Sequence, residues 1–465
     1  MNPVEFEYLL EPKKSFITPE ATMSYSAQGM NALSQQLAIF YREHLVNPHF
    51  AKCPRPIVLN SWETMYFDLT TDKVLELARC GQQLGVELFV LDDGWFGHRE
   101  GDNSSLGDWT TDYRRLPKGI SYIADEIHNM GMQFGLWFEP EMISIDSELY
   151  RTHPEWMIST PHRKPSVGRH QYVLDFTNQE VIDYLFEAIS SIIQETKLEY
   201  IKWDYNRHIT DAFTATLPAT KQMEFGHRYI LGVYQLLERL TKAYPEVLFE
   251  SCSSGGGRFD LGMMYYAPQA WTSDDTDPIE RLKIQHGTSY GYSLSMMSAH
   301  VSASPNEQSG RRTSLDTRAA VAYFGVFGYE LDVTVLEVAE AEKVKEQIHF
   351  YKKYRDVFQY GNFYRIRSPF EDDVVDWQVV SSDKSTAILL HTSLISHLNP
   401  GYSVVKFCGL DEDKRYMIAG MDEEFFGDEL MNAGVKIVPE GAENGPVIST
   451  PEYQSHLLIV EEIKE

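Results

Sequence analysis

From Pro56 onward, short apolar runs alternate with amphipathic stretches, and no other feature constrains the fold as much. The runs are PIVLNSWE (56–63), ELFVLDDG (87–94), QFGLWFEP (133–140), LEYIKWDYN (198–206), EVLFESCSS (246–254), QAWTSDD (269–275), SLSMMSAH (293–300) and, more weakly, YELDV (329–333). Most are apolar or aromatic in the first half and polar at the end. Runs of this kind suit parallel strands buried on both faces. Between them, stretches at 72–84, 121–130, 180–193, 221–243 and 278–288 carry apolar residues at helical spacing. Pro278 suits the first turn of its helix, where a missing N–H costs nothing. Eight strands with intervening helices over about 280 residues predict an α/β fold, a (β/α)8 TIM barrel. An open doubly wound sheet shares the alternation, but it gathers polar strand ends near one switch point. Here nearly every run ends in chemically capable residues, which favours the barrel.

After a helical stretch at 339–354 the texture changes. DVVDWQVVSS, STAILLHTSL, YSVVKFCGL, KRYMIAGM and SHLLIVEEI alternate and are separated by Asp, Asn and Gly, the pattern of antiparallel β. At the other end, Phe6 to Tyr25 reads as strand material without partner strands upstream. The expected organisation is a remnant of an N-terminal β-domain at 1–30, the barrel at 31–355 and a C-terminal antiparallel β-sandwich domain at 356–465.

Charge narrows the partners. Lys plus Arg is 41 and Asp plus Glu is 68, a net charge of −27. Neutralising nucleic acid takes clustered cations, so no nucleic-acid partner is expected. Anionic lipid is disfavoured equally. No run reaches the ~18 apolar residues of a membrane span, so no membrane partner is expected. The first thirty residues carry no signal-peptide pattern. Cys53, Cys80, Cys252 and Cys408 are scattered without CxxC spacing, which suits a reducing compartment, and we expect a cytoplasmic protein. A hydrophobic share of 43% rules out wholesale disorder, and the 13% aromatic share can line a site for flat sugar faces.

In a barrel, side chains at the C-terminal strand ends converge on one mouth. The candidates there are Asp92, Asp93, Glu139, Glu141 and Asp204, followed by Asp274, Asp275 and Asp277. So many acids can bind a metal or a polyhydroxylated ligand, or supply an acid and a nucleophile. DDTD (274–277) lacks the Gly and terminal Glu of a calcium loop, so no metal is assigned. SSGGG (253–257) has no following Lys-Ser/Thr and is a weak phosphate signal; its glycines suit close approach of backbone to a ligand. Lys202 and Asp204 share one strand face at period two, with Trp203 in the opposite layer. A cation beside a carboxylate keeps it ionised, as a nucleophile requires, although a structural salt bridge has the same spacing.

The strings LDDGWFG (91–97), GDW (107–109), LWFEPEM (136–142), KWDYNR (202–207), ESCSSGGGRFD (250–260) and WTSDDTDPIERL (271–282) together resemble glycoside hydrolase family 36, in particular its bacterial α-galactosidases. The resemblance is dense from Trp62 to Asn306. It implies a retaining α-galactosidase that acts on melibiose- or raffinose-type α-galactoside oligosaccharides by double displacement, with no cofactor. In the family's pattern Asp204 matches the nucleophile and Asp274 the general acid/base, with Asp275 the second choice. Asp92 and Asp93 match the pair that accepts from galactose hydroxyls, and Lys202, Arg169 and Asn206 match further polar contacts to the ring. Cys252 and Gly255 match the side nearest O2, and Trp62 and Trp137 match aromatic walls. Family members carry a large β-sandwich before the barrel, and some associate, which implies a homo-oligomer here.

Other functions keep the same acids. An α-N-acetylgalactosaminidase or an α-galactosyl transferase of the family differs in the pocket beside Cys252 or in the acceptor. A galactoside-binding fragment without turnover would retain every carboxylate.

Overall fold

The computed structural model of the chain describes residues 6–398, 403–437 and 451–464. Eight strands form a closed barrel: β1 (Val58–Asn60), β2 (Leu88–Leu91), β3 (Gln133–Phe138), β4 (Tyr200–Trp203), β5 (Leu248–Ser251), β6 (Gln269–Trp271), β7 (Met297–Ser302) and β8 (Val326–Glu330). Their order around the ring is the order in the chain. Pairing is parallel from β2 through β6 and between β7 and β8. Apart from Gln133, every residue of these strands is buried, which is why they read as continuous apolar runs rather than alternating ones.

The chain divides into two compact units. One holds residues 59–270 with the segment before Tyr25 and 332–334; the other holds 25–58, 271–331 and the chain from Val335 onward. In the first, helix α1 (Thr71–Leu84) starts at Thr70, whose side chain accepts from the Lys73 N–H, and stops at Gly85 in the left-handed region. Its apolar stripe Val74, Leu75 and Ala78 is buried. Helices α2 (Ile120–Asn129), α3 (Gln179–Thr196) and α4 (Phe225–Ala243) follow β2, β3 and β4. Gly232 on α4 is required by packing: a Cβ there would stand 1.9 Å from the Phe176 carbonyl oxygen.

In the second unit, α5 (Pro278–Thr288) begins with Pro278 in its first turn, and the Asp277 side chain accepts from the Ile279 and Glu280 N–H groups. Helix α6 (Leu315–Ala322) precedes β8, and α7 (Val338–Tyr360) opens with a capping box between Glu337 and Glu340. Next comes an antiparallel six-stranded sheet. It comprises β9 (Asn362–Arg367), β10 (Val374–Val380), β11 (Thr386–Ser393), β13 (Arg415–Ile418), β14 (Glu424–Phe426) and β16 (Ser455–Glu462), ordered β9-β10-β11-β16-β13-β14. A two-stranded pair, β12 (Ser403–Val405) with β15 (Val435–Ile437), makes a second layer. Val380, Leu389, Val405, Phe407, Val435 and Val460 share one apolar core.

Two expectations are corrected. The last barrel strand is Val326–Glu330, three residues earlier than the run at 329–333 suggested. A glycine in it and one just before it hid it: a Cβ on Gly325 would lie 2.6 Å from the Met297 carbonyl oxygen, and one on Gly328 would lie 2.9 Å from that of Val58. Close approach therefore selects small residues where a strand would otherwise show β-branched ones. The second correction concerns Phe6 to Tyr25, which forms no strand. Its aromatic and β-branched residues have strand propensity, but a strand exists only against a partner. Here the Leu9 N–H donates to the Glu224 carboxylate at 3.0 Å, beside the start of α4.

Candidate active site

The residues that close β1 to β5 carry a connected set of buried polar groups. Asp92, after β2, is 3% exposed. Its Oδ2 accepts from Asn60 Nδ2, at the end of β1, and from Lys202 Nζ on β4, both at 2.8 Å. Its Oδ1 accepts the Asp93 N–H at 2.9 Å. The cation that the sequence set beside Asp204 thus pairs with Asp92. Parallel neighbours place Lys202 level with Trp137 on one side and Glu250 on the other.

Asp204 closes β4. Its carboxylate accepts three hydrogen bonds, all from neutral donors: Trp137 Nε1 at 3.0 Å and Asn206 Nδ2 at 2.7 Å on Oδ2, and the Tyr205 N–H at 2.8 Å on Oδ1. Neutral N–H donors stabilise a carboxylate as an ion. Each carboxylate oxygen offers about two acceptor sites, so Oδ1 keeps one unused. Asn206 is held in turn by the Ser254 hydroxyl, which donates to its Oδ1 at 3.0 Å. Trp203, in the opposite layer as its register predicts, donates to Glu141.

Glu139 sits just past β3 and is fully buried. It accepts the Asn206 N–H at 2.6 Å and the Gln171 amide at 2.8 Å. Burial first, and the Asp204 charge second, push the Glu139 carboxyl up to about 8, against the pull of Arg99. Arg99 itself grips both oxygens of Asp93, at 2.8–3.2 Å. Asp93 therefore holds a guanidinium, a role that its place in LDDGW did not announce. Burial raises the Asp93 carboxyl, with Arg99 opposing.

Arg169 and His170 are both in the left-handed region, at φ 49° and 59°, inside a tight turn closed by paired backbone hydrogen bonds between Gly168 and Gln171. The Arg169 Nε lies 3.9 Å from Asp102, which in turn lies 3.8 Å from Arg99. Cys252 follows β5, is buried and forms no disulfide, and its N–H donates to the Trp203 carbonyl at 2.7 Å. Ser254 and Gly255 both take positive φ, so the backbone turns sharply there. Trp62 opens a short helical turn, with its N–H on Asn60 Oδ1 at 2.8 Å and its ring edge-on to Tyr66 and Phe67.

In the second unit, Asp274 is exposed and Trp271 Nε1 donates to its Oδ1 at 2.9 Å. Trp271 is fixed from two sides, with the His300 ring 4.6 Å away and the Arg281 guanidinium over its face at 4.6 Å. Asp275 Oδ1 instead accepts the Asp277 N–H at 3.0 Å, and Asp277 caps α5. Of the three acids in the string, the two later ones thus serve the local backbone.

Three groups escaped the sequence reading as site residues, namely Asn60, Arg99 and Gln171, while Glu139 stood among the strand-end acids without a role of its own. The strand-end rule does point to Asn60, which ends β1. Arg99 and Gln171 lie in loops with no pattern to mark them.

Residues 15–361 match the melibiase family and residues 374–460 match the C-terminal domain of glycosyl hydrolase family 36. The α-galactosidase AgaA of Geobacillus stearothermophilus is 48% identical over 437 residues, which are 94% of this chain and 60% of AgaA. Its crystal structure superposes with a TM-score of 0.96, and variants of it have been solved with raffinose and with stachyose. Mel36A of Lactobacillus acidophilus is 48% identical over 434 residues, 93% of this chain and 59% of that protein. The α-galactosidase structure from Lactobacillus brevis is 54% identical, with a TM-score of 0.92 over 95% of this chain and 59% of that one. The chain spans about 60% of the length of the curated relatives that it matches. With both parts matched in order, this chain belongs to glycoside hydrolase family 36, the melibiase family.

Proposed function

We propose that the chain hydrolyses terminal α-galactosyl residues of raffinose- and melibiose-type oligosaccharides with retention of configuration. The observation that carries this reading is the Asp204 carboxylate, oriented by three N–H donors and with one acceptor site of Oδ1 unused. In the first step Oδ1 attacks C1 of the galactosyl unit, and the departing glycosidic oxygen takes a proton from Asp274. In the second step water attacks C1, Asp274 recovers a proton from that water, and the bond to Asp204 breaks. Two inversions give retention, and the mechanism requires carboxyl groups about 5–5.5 Å apart. Asp92, already oriented by Asn60 and Lys202, accepts from a sugar hydroxyl with its remaining Oδ1 site, and Trp62 and Trp137 offer apolar faces. Arg169, Cys252 and Gly255 complete the pocket in this reading, with Cys252 and Gly255 beside O2.

The galactoside complexes of AgaA variants support this substrate class. Four cysteines outside any disulfide suit a cytoplasmic setting, and among the described residues no helix is long and apolar enough to cross a membrane. Association of copies is the reading taken from the family. The test is proton NMR of the full chain acting on p-nitrophenyl α-galactoside. α-Galactose should appear before β-galactose. Initial release of the β anomer, or binding of galactose without turnover, would overturn the reading.

A further inference from the structure

Asn206 joins two carboxyl groups. Its backbone N–H donates to Glu139 Oε1 at 2.6 Å, and its side chain donates to Asp204 Oδ2 at 2.7 Å. Both acids are buried, Glu139 completely. The cations around them are already engaged: Arg99 with both oxygens of Asp93, Lys202 with Asp92, and Arg258 with both oxygens of Glu141. The hydrogen-bond partners of Glu139 are a backbone N–H and an amide, both neutral. Where two carboxyl groups share a buried site without a cation of their own, one holds its proton more strongly. Asp204 has the three donors that favour an ion; Glu139 has the deeper burial.

We propose that Glu139 is a positioning residue held as a neutral carboxylic acid: it fixes Asn206, Asn206 fixes the Asp204 carboxylate, and loss of the Glu139 proton disables the nucleophile. This rests on Asp204 being that nucleophile. The proton sits on Oε2 and is donated to the Gln171 amide oxygen, with the amide turned so that its oxygen faces Glu139. An amide oxygen and nitrogen are told apart only through their partners. The far amide atom of Gln171 is buried without a hydrogen-bond partner, so nothing on that side fixes the opposite orientation. The charged and titratable groups that face Glu139 are Asp204 and Tyr205 beyond β4, and Asp93 and Arg99 beyond β2. Asp204 and Asp93 oppose its ionisation, and Arg99 favours it.

The test is infrared spectroscopy of the full chain through neutral to alkaline pH, with kinetics alongside. A protonated-carboxyl band should be present at neutral pH, fade as pH passes about 8, and be missing in Glu139→Gln. In Asp204→Asn, which removes the facing charge, the same band should fade at lower pH. In kinetics on raffinose, log kcat/KM should fall more steeply above about pH 8 in the wild type than in Glu139→Gln, the two slopes differing by one. The proposal is overturned if no band depends on Glu139, if the band is indifferent to Asp204, or if the two slopes agree. The infrared result stands without turnover, so a chain that shows the band and releases no galactose refutes the hydrolase reading and leaves Glu139 protonated.

Discussion

Trp137 Nε1 donates to Asp204 Oδ2 at 3.0 Å, so an aromatic side chain on β3 orients the carboxylate that closes β4. The two strands are paired in parallel, with Trp137 level with Lys202, two residues before Asp204. Trp137→Phe keeps a ring and deletes the donor. A hydrogen bond to a charged group contributes about 1.5–3 kcal/mol, so kcat should fall about 10–100-fold with an unchanged circular dichroism spectrum. Turnover within twofold of wild type would contradict this role.

Lys202 and Asp92 are a buried pair at 2.8 Å. Removing one partner leaves an uncompensated charge, so Lys202→Met should destabilise the fold by about 3–5 kcal/mol in urea unfolding. Lys202→Met with Asp92→Asn should recover a large part of that loss. Strictly additive effects would show that the two groups are not coupled.

Asp274 is exposed, with one oxygen on the Trp271 indole. If it supplies the leaving-group proton, Asp274→Ala should lose about 10²–10⁴-fold on raffinose. On p-nitrophenyl α-galactoside the first step should be nearly spared, because nitrophenolate departs without a proton. Equal losses on both substrates would remove Asp274 from that role.

His286 should make the fold acid-sensitive. Trp377 Nε1 donates to its Nδ1 at 3.2 Å, and burial, followed by the Arg365 charge, pulls its pKa down from 6.5 to about 4. The unfolded chain then binds more protons than the folded one between about 6.5 and about 4, so this contribution to stability is lost as pH falls through that window. His286→Gln keeps an acceptor for Trp377 and cannot titrate. Chemical unfolding between those pH values should show a flatter stability curve than wild type; an unchanged slope would contradict the assignment.

Much of this architecture was legible as text, for a physical reason. Parallel barrel strands are buried on both faces, so β1 to β6 stand out as apolar runs with polar ends, whereas β7 starts only midway through its run, after a turn at Leu294–Met296. β8 was displaced because Gly325 and Gly328 carry no side chain to signal burial, although close packing requires them. Phe6 to Tyr25 was misread because propensity is local and sheet formation is not. At the site, Asp92 and Asp204 were visible as strand-end acids. What Lys202 touches was not, since ring closure and side-chain reach decide whether it meets Asp204 or Asp92. Arg99 lies in a loop, and its grip on Asp93 depends on how that loop folds back. The protonation of Glu139 depends on burial and on the Asp204 charge, neither of which is written in LWFEPEM.

If Asp204 forms the bond to the sugar, azide can stand in for its carboxylate. Asp204→Ala should hydrolyse p-nitrophenyl α-galactoside at a negligible rate, and added azide, entering where the carboxylate stood, should restore nitrophenolate release and yield β-galactosyl azide. Unaided hydrolysis near the wild-type rate, or an α-galactosyl azide product, would contradict it.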